Sequence, residues 1–153
     1  MTPEQKLEQL GITLPAPAAA GGTYENFVIT GNLLYLAGTG WPMRPADGKP
    51  VPQVGREITV EQAAADARTV GINLIATMKH ALGDLSRVRR VVKLLGMVNA
   101  VPDFTEQPKV VNGCSDLLVE VFGDRGRHAR SAVGVGSLPR GFSVEIEAIV
   151  EFE

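Results

Sequence analysis

Phe142-Ser143-Val144-Glu145-Ile146-Glu147-Ala148-Ile149-Val150-Glu151-Phe152 decides the fold class. Phe142, Val144, Ile146, Ala148, Val150 and Phe152 alternate with Ser143, Glu145, Glu147, Glu151 and Glu153. That period of two is the pattern of a strand with one apolar and one polar face. Just upstream, Arg130–Leu138 is rich in β-branched and small residues, and Pro139-Arg140-Gly141 reads as a turn. Together they predict a C-terminal hairpin with Glu145 across from Gly134.

Working back, Gln107–Phe122 carries Val110, Cys114, Leu117, Leu118 and Val121 on one helical stripe, and Gly123 closes it. Val88–Val98 is dense in β-branched residues, although Arg89, Arg90 and Lys93 blur its alternation. Thr59–Leu82 is the strongest helix: Val60, Ala64, Ala67, Gly71, Leu74, Ile75, Met78 and Leu82 share a face. Thr59 with Gln62 forms a capping box, and Gly83 ends the run. Two more strands, Tyr24–Thr30 and Leu33–Ala37, flank Gly31-Asn32, a hairpin signal. Gly38–Gly55 reads as a long loop of the kind that carries function. Thr2, Pro3 and Gly11 bound a short N-terminal helix, and Leu14–Gly22 reads as a connector. The order ββαβαββ predicts an α+β domain: one mixed sheet with two helices on one face, and an opposite face that an oligomer would cover.

The chain has 153 residues, 44% hydrophobic, with 15 basic and 17 acidic side chains and a net charge of -2. That length implies one domain with a sizeable core. The balance of charge leaves no basic footprint for nucleic acid. One cysteine excludes an intramolecular disulfide, and one cysteine with two histidines disfavours a structural zinc site. The polar start carries no leader or membrane span, which implies a soluble, cytoplasmic protein.

Among candidate functional residues, Arg130 can bind a carboxylate in bidentate fashion, with Ala132, Gly134 and Gly136 leaving room on its face. The competing reading is an ordinary surface arginine. Glu145 can hold a water or a proton, or simply share a solvated face with Glu147 and Glu151. Gly38-Thr39-Gly40-Trp41 offers backbone amides and a large ring to a pocket. Cys114 reads as core, and His80 and His128 lack ligand spacing.

Ala129–Pro139 (ARSAVGVGSLP) followed by Val144–Ala148 (VEIEA) resembles the signature of the YjgF/RidA family, also called L-PSP endoribonuclease-like. Gly22-Thr23-Tyr24, Asn32–Gly38 and Val111-Asn112 add matches, so the resemblance runs from about Pro15 to the end. Residues 1–14 then stand as an N-terminal helical extension to a domain over 15–153. The resemblance implies a chorismate-mutase-like fold assembled as a homotrimeric barrel with ligand clefts between subunits. It also implies hydrolysis of reactive enamines and imines, such as 2-aminoacrylate, to 2-keto acids and ammonia without metal or organic cofactor. Carried over, Arg130 grips the substrate carboxylate, Glu145 helps place the attacking water, and Tyr24 lies in the active site. Gly38, with Thr39 and Trp41 after it, meets the ligand, and Asn112 lies near the cleft. Ala132 stands where the family often has cysteine, and the loop after Gly38 departs from the usual form. Two other functions fit the same resemblance: a non-catalytic regulatory trimer binding small carboxylates, and an endoribonuclease, against which the charge balance argues.

Overall fold

Thr59 starts the longest helix as the capping box predicts: its hydroxyl accepts from the Gln62 N–H at 3.1 Å, and the Gln62 side chain accepts from the Thr59 N–H at 2.9 Å. The computed structural model describes residues 1–153. In chain order the elements are α1 (Pro3–Gln9), β1 (Phe27–Thr30), β2 (Leu33–Trp41), α2 (Val60–Leu82), β3 (Val88–Asn99), α3 (Gln107–Phe122), β4 (Ala129–Val135) and β5 (Val144–Phe152). The segment Gly38–Trp41, read as loop, thus continues strand β2. No helix is long and apolar enough to cross a membrane.

The sheet order is β1-β2-β5-β3-β4, antiparallel except for the β3–β4 pair. The predicted C-terminal hairpin is therefore wrong. β3 lies between β4 and β5, with Val98 opposite Gly134 on one side and Val144 on the other. Alternation identifies both strands but not their partners. The connection from β4 to β5 passes the end of β3, held by Ala100 N–H to Val135 O at 3.2 Å and Asn99 N–H to Ser143 O at 2.8 Å. β3 also explains its own blurred pattern. Register shifts against β5 between Val88 and Arg90 and between Val91 and Lys93 let Val88, Val91 and Leu94 all point inward at spacings of three.

α2 and α3 cover one face, burying Leu74, Met78, Leu117 and Leu118 against Leu34, Leu94 and Ile146. α1 joins this core through Leu7, and its Glu4 carboxylate accepts from Leu85 N–H at 2.7 Å and from Lys79 Nζ at 2.9 Å. The opposite face carries Tyr35, Ile149, Leu95, Met97 and Val133 by register. Nothing in the chain covers it: Val28 is 54% exposed, and Tyr35 and Val133 are each 42% exposed.

Candidate active site

The edge of β2 opens a cleft. β1 pairs with β2 only over Leu33–Leu36, so Ala37–Trp41 has no strand on its outer side. The segment before β1 runs there instead, tied by the Ala37 N–H to Asn26 O bond at 2.9 Å. Between them lies a cleft of about 850 Å³ with Tyr24, Gly38, Thr39, Trp41, Arg140 and Glu145 in its wall. A register shift between Leu36 and Thr39 displaces Gly38 from the regular ladder. There the absent side chain matters, since a Cβ on Gly38 would lie 2.8 Å from Glu145 Oε2. Tyr24 Oη accepts from the Gly21 N–H at 3.0 Å, which leaves its own proton free to be donated.

Burial, with the Glu147 carboxylate adding to it, holds the Glu145 carboxyl above the usual carboxylate range. A group that binds its proton more tightly in the folded chain favours folding below its unfolded pKa and loses that contribution as pH rises through the folded value. Glu145→Gln is therefore expected to raise the melting temperature at pH 8. The difference from wild type should shrink on acidification through the carboxylate range. Thermal melts across pH check this, and a variant less stable at pH 8 would contradict it.

Arg130 lies elsewhere. Its partner in β3 is the fully buried Leu94, so its side chain projects to the helical face, whereas Glu145 pairs with Met97 and projects to the other. Arg130 Nη1 donates to Asn112 Oδ1 at 2.8 Å and Ser115 Oγ at 3.1 Å, and Nη2 to Pro108 O at 3.4 Å. Ser115 Oγ is 2.9 Å from His128 Nε2, and His128 Nδ1 is 2.7 Å from Gly126 O. Of the small residues on its face, Gly134 lies beside the start of α3, where an added Cβ would meet Gln107 Nε2 at 2.8 Å, whereas Gly136 has nothing within 4 Å. Cys114 faces the core, where burial pushes its thiol up to about 12.

One chain thus gathers Tyr24, Gly38, Thr39, Trp41 and Glu145 in a cleft, and Arg130 with Asn112 in a second cluster across the sheet. Sequence reasoning missed Arg140 in the cleft wall, and Ser115 and His128 behind Arg130. The Asn112–Ser115 spacing of three is the signal that puts both on one face of α3.

A family model described as "YjgF/chorismate_mutase-like, putative endoribonuclease" matches residues 4–142. The chain belongs to this YjgF/chorismate-mutase-like family. Protein TCP17 of Trypanosoma cruzi is 47% identical over 146 residues, 95% of this chain and 91% of that protein. The crystal structure of Atu1372 from Agrobacterium tumefaciens, a protein of unknown function, is 47% identical with a TM-score of 0.85, covering 99% of this chain and 94% of that one. RidA from an Antarctic Psychrobacter is 28% identical with a TM-score of 0.56, covering 90% and 94%. The YjgF match includes α1, and the five-stranded sheet with α2 and α3 on one face is the family's chorismate-mutase-like fold.

Proposed function

We propose that the protein is an imine/enamine deaminase whose site is completed between subunits of a homotrimer. The observation that carries this reading is the division of the site. Arg130, an arginine able to bind a carboxylate, and the cleft that holds Glu145 lie on opposite faces of one sheet, and nothing in the chain covers the face that carries Glu145 with Leu95, Met97 and Val133. A second copy packed on that face supplies the missing half to each cleft.

In the assembled site Arg130 of one subunit holds the substrate carboxylate, fixing the α-carbon beside Tyr24 and Glu145 of the next. An enamine such as 2-aminoacrylate takes a proton at its methylene carbon to give the iminium. Water adds to the electrophilic C2, losing its proton toward Glu145, and a carbinolamine forms. Proton return to nitrogen expels ammonia and leaves the 2-keto acid; one water is consumed and one ammonia released. The work asked of the protein is orientation and charge placement. RNA is a poor fit to a cleft lined by Glu25, Glu145 and Glu147 against Arg140.

The test generates 2-aminoacrylate in situ with a serine dehydratase and follows keto-acid and ammonia release, with light scattering on the same sample. A trimer that accelerates release above the spontaneous rate is the expected result. A folded trimer that binds a 2-keto acid without accelerating release would replace this reading with the non-catalytic one.

A further inference from the structure

A guanidinium has five N–H donors, and three of Arg130's are engaged: two on Nη1, to Asn112 and Ser115, and one on Nη2, to Pro108. The two left, on Nε and Nη2, belong to neighbouring nitrogens, the pair that meets a carboxylate side-on. What holds the other edge is a chain of hydrogen bonds running from Arg130 through Ser115 and His128 to the Gly126 carbonyl. The Gly126 carbonyl only accepts, so His128 Nδ1 carries a hydrogen. Burial, with the nearby Arg130 charge, lowers the His128 pKa against the raising effect of the Gly126 bond, which favours the neutral ring with its lone pair on Nε2. Ser115 must then donate its one proton to Nε2, and its lone pairs are left for Arg130. Without His128 that proton would turn to the preceding helical carbonyl, as mid-helix serines do. The charged side chains of the same turn are engaged elsewhere: Arg127 Nε with Asp124 at 3.4 Å, and Arg125 Nη1 with Val88 O at 3.3 Å.

We propose that His128 and Ser115 are positioning residues for Arg130: the bond from Ser115 to His128 Nε2 fixes the lone pair that anchors Nη1, and so presents the Nε–Nη2 edge to a planar carboxylate. This rests on the reading of Arg130 as the carboxylate anchor. Neither residue touches substrate.

The probe is 2-oxobutyrate, a stable 2-keto acid, titrated calorimetrically. Ser115→Ala should weaken its binding about tenfold, the loss of one hydrogen bond to a charged group. Ser115→Thr, which keeps the hydroxyl, should recover most of it, and His128→Phe should match Ser115→Ala. In the wild-type protein, nitrogen NMR should find His128 in the Nδ1-protonated neutral tautomer, a signature that mere packing does not require. Wild-type binding by Ser115→Ala, with binding lost in Arg130→Ala, would overturn the relay and leave the anchor standing. Equal binding by wild type and Arg130→Ala would remove the anchor instead. The relay is then judged on the Arg130 Nε–H resonance, which should exchange faster in Ser115→Ala; an unchanged rate would overturn it.

Discussion

Two inactive variants, Arg130→Ala and Glu145→Gln, should recover about a quarter of the wild-type deaminase rate when mixed in equal amounts and reassembled together. Each alone removes a different half of the proposed site. Loss of a bidentate guanidinium–carboxylate contact, two charged hydrogen bonds at about 1.5–3 kcal/mol each, corresponds to roughly 10²–10⁴ in rate. Loss of a positioned acid–base group is of similar size, about 10²–10⁴. The expected recovery follows from the proposal: Arg130 and Glu145 point to opposite faces of one sheet, so the proposed site takes its arginine from one subunit and its glutamate from the next. In a random mixture a site is whole when the arginine comes from the Glu145→Gln chain and the glutamate from the Arg130→Ala chain, a chance of about one half each. If both residues served a single-chain site, no chain in the mixture would carry both and the rate would stay at the level of the variants. Native mass spectrometry must first show mixed trimers, and mixed trimers without recovery would sink the shared site. High activity in Arg130→Ala alone would remove Arg130 from the reaction.

That the sequence sets the phase of Arg130 and of Glu145 within their own strands but not their relation to each other is a matter of sheet geometry. Alternation within β5 puts Glu145 opposite in phase to Val144 and Ile146, and that much is visible in the sequence. Alternation within β4 likewise groups Arg130 with Ala132 and Gly134. The phase between two strands depends on which strand lies beside which and on the bulges between them, and neither leaves a local pattern. Assuming a hairpin put Glu145 across from Gly134; inserting β3 pairs Glu145 with Met97 and Arg130 with Leu94, on opposite faces. The helices were legible because their evidence is local: the Thr59–Gln62 box, the Gly83 stop and the Cys114 stripe each lie within a few residues. The Ser115–His128 contact was not, because it joins a helix to the strand that follows through a turn whose path no spacing rule fixes. Family resemblance named Tyr24, Gly38 and Arg130; it did not name Ser115, His128 or Arg140.

Replacing Gly113 by alanine should cost more stability than its size suggests, although alanine is the better helix former by about 1 kcal/mol. Gly113 sits where α3 crosses α2. An added Cβ would lie 1.9 Å from the Ala64 carbonyl oxygen and 2.8 Å from its carbonyl carbon. Those are backbone atoms of a capped helix, so no rotamer change relieves the overlap. Gly71 makes the reciprocal approach from α2, its added Cβ meeting Leu117 Cδ2 at 3.0 Å and Cys114 Sγ at 3.2 Å, so a shift of either helix meets the other contact. Overpacking of a well-filled core costs about 1–3 kcal/mol or more, and an immovable backbone partner puts this case at the upper end. The net loss is about 2 kcal/mol or greater, a fall of roughly 4–8 °C in melting temperature for a domain of this size. Gly136→Ala is the control, since nothing lies within 4 Å of its added Cβ. Because α3 also carries Asn112 and Ser115, the folded fraction of Gly113→Ala should bind 2-oxobutyrate more weakly than the control does. Denaturant titrations of both variants decide the point: equal stability would mean that the helices do not approach as closely as the glycine pair requires.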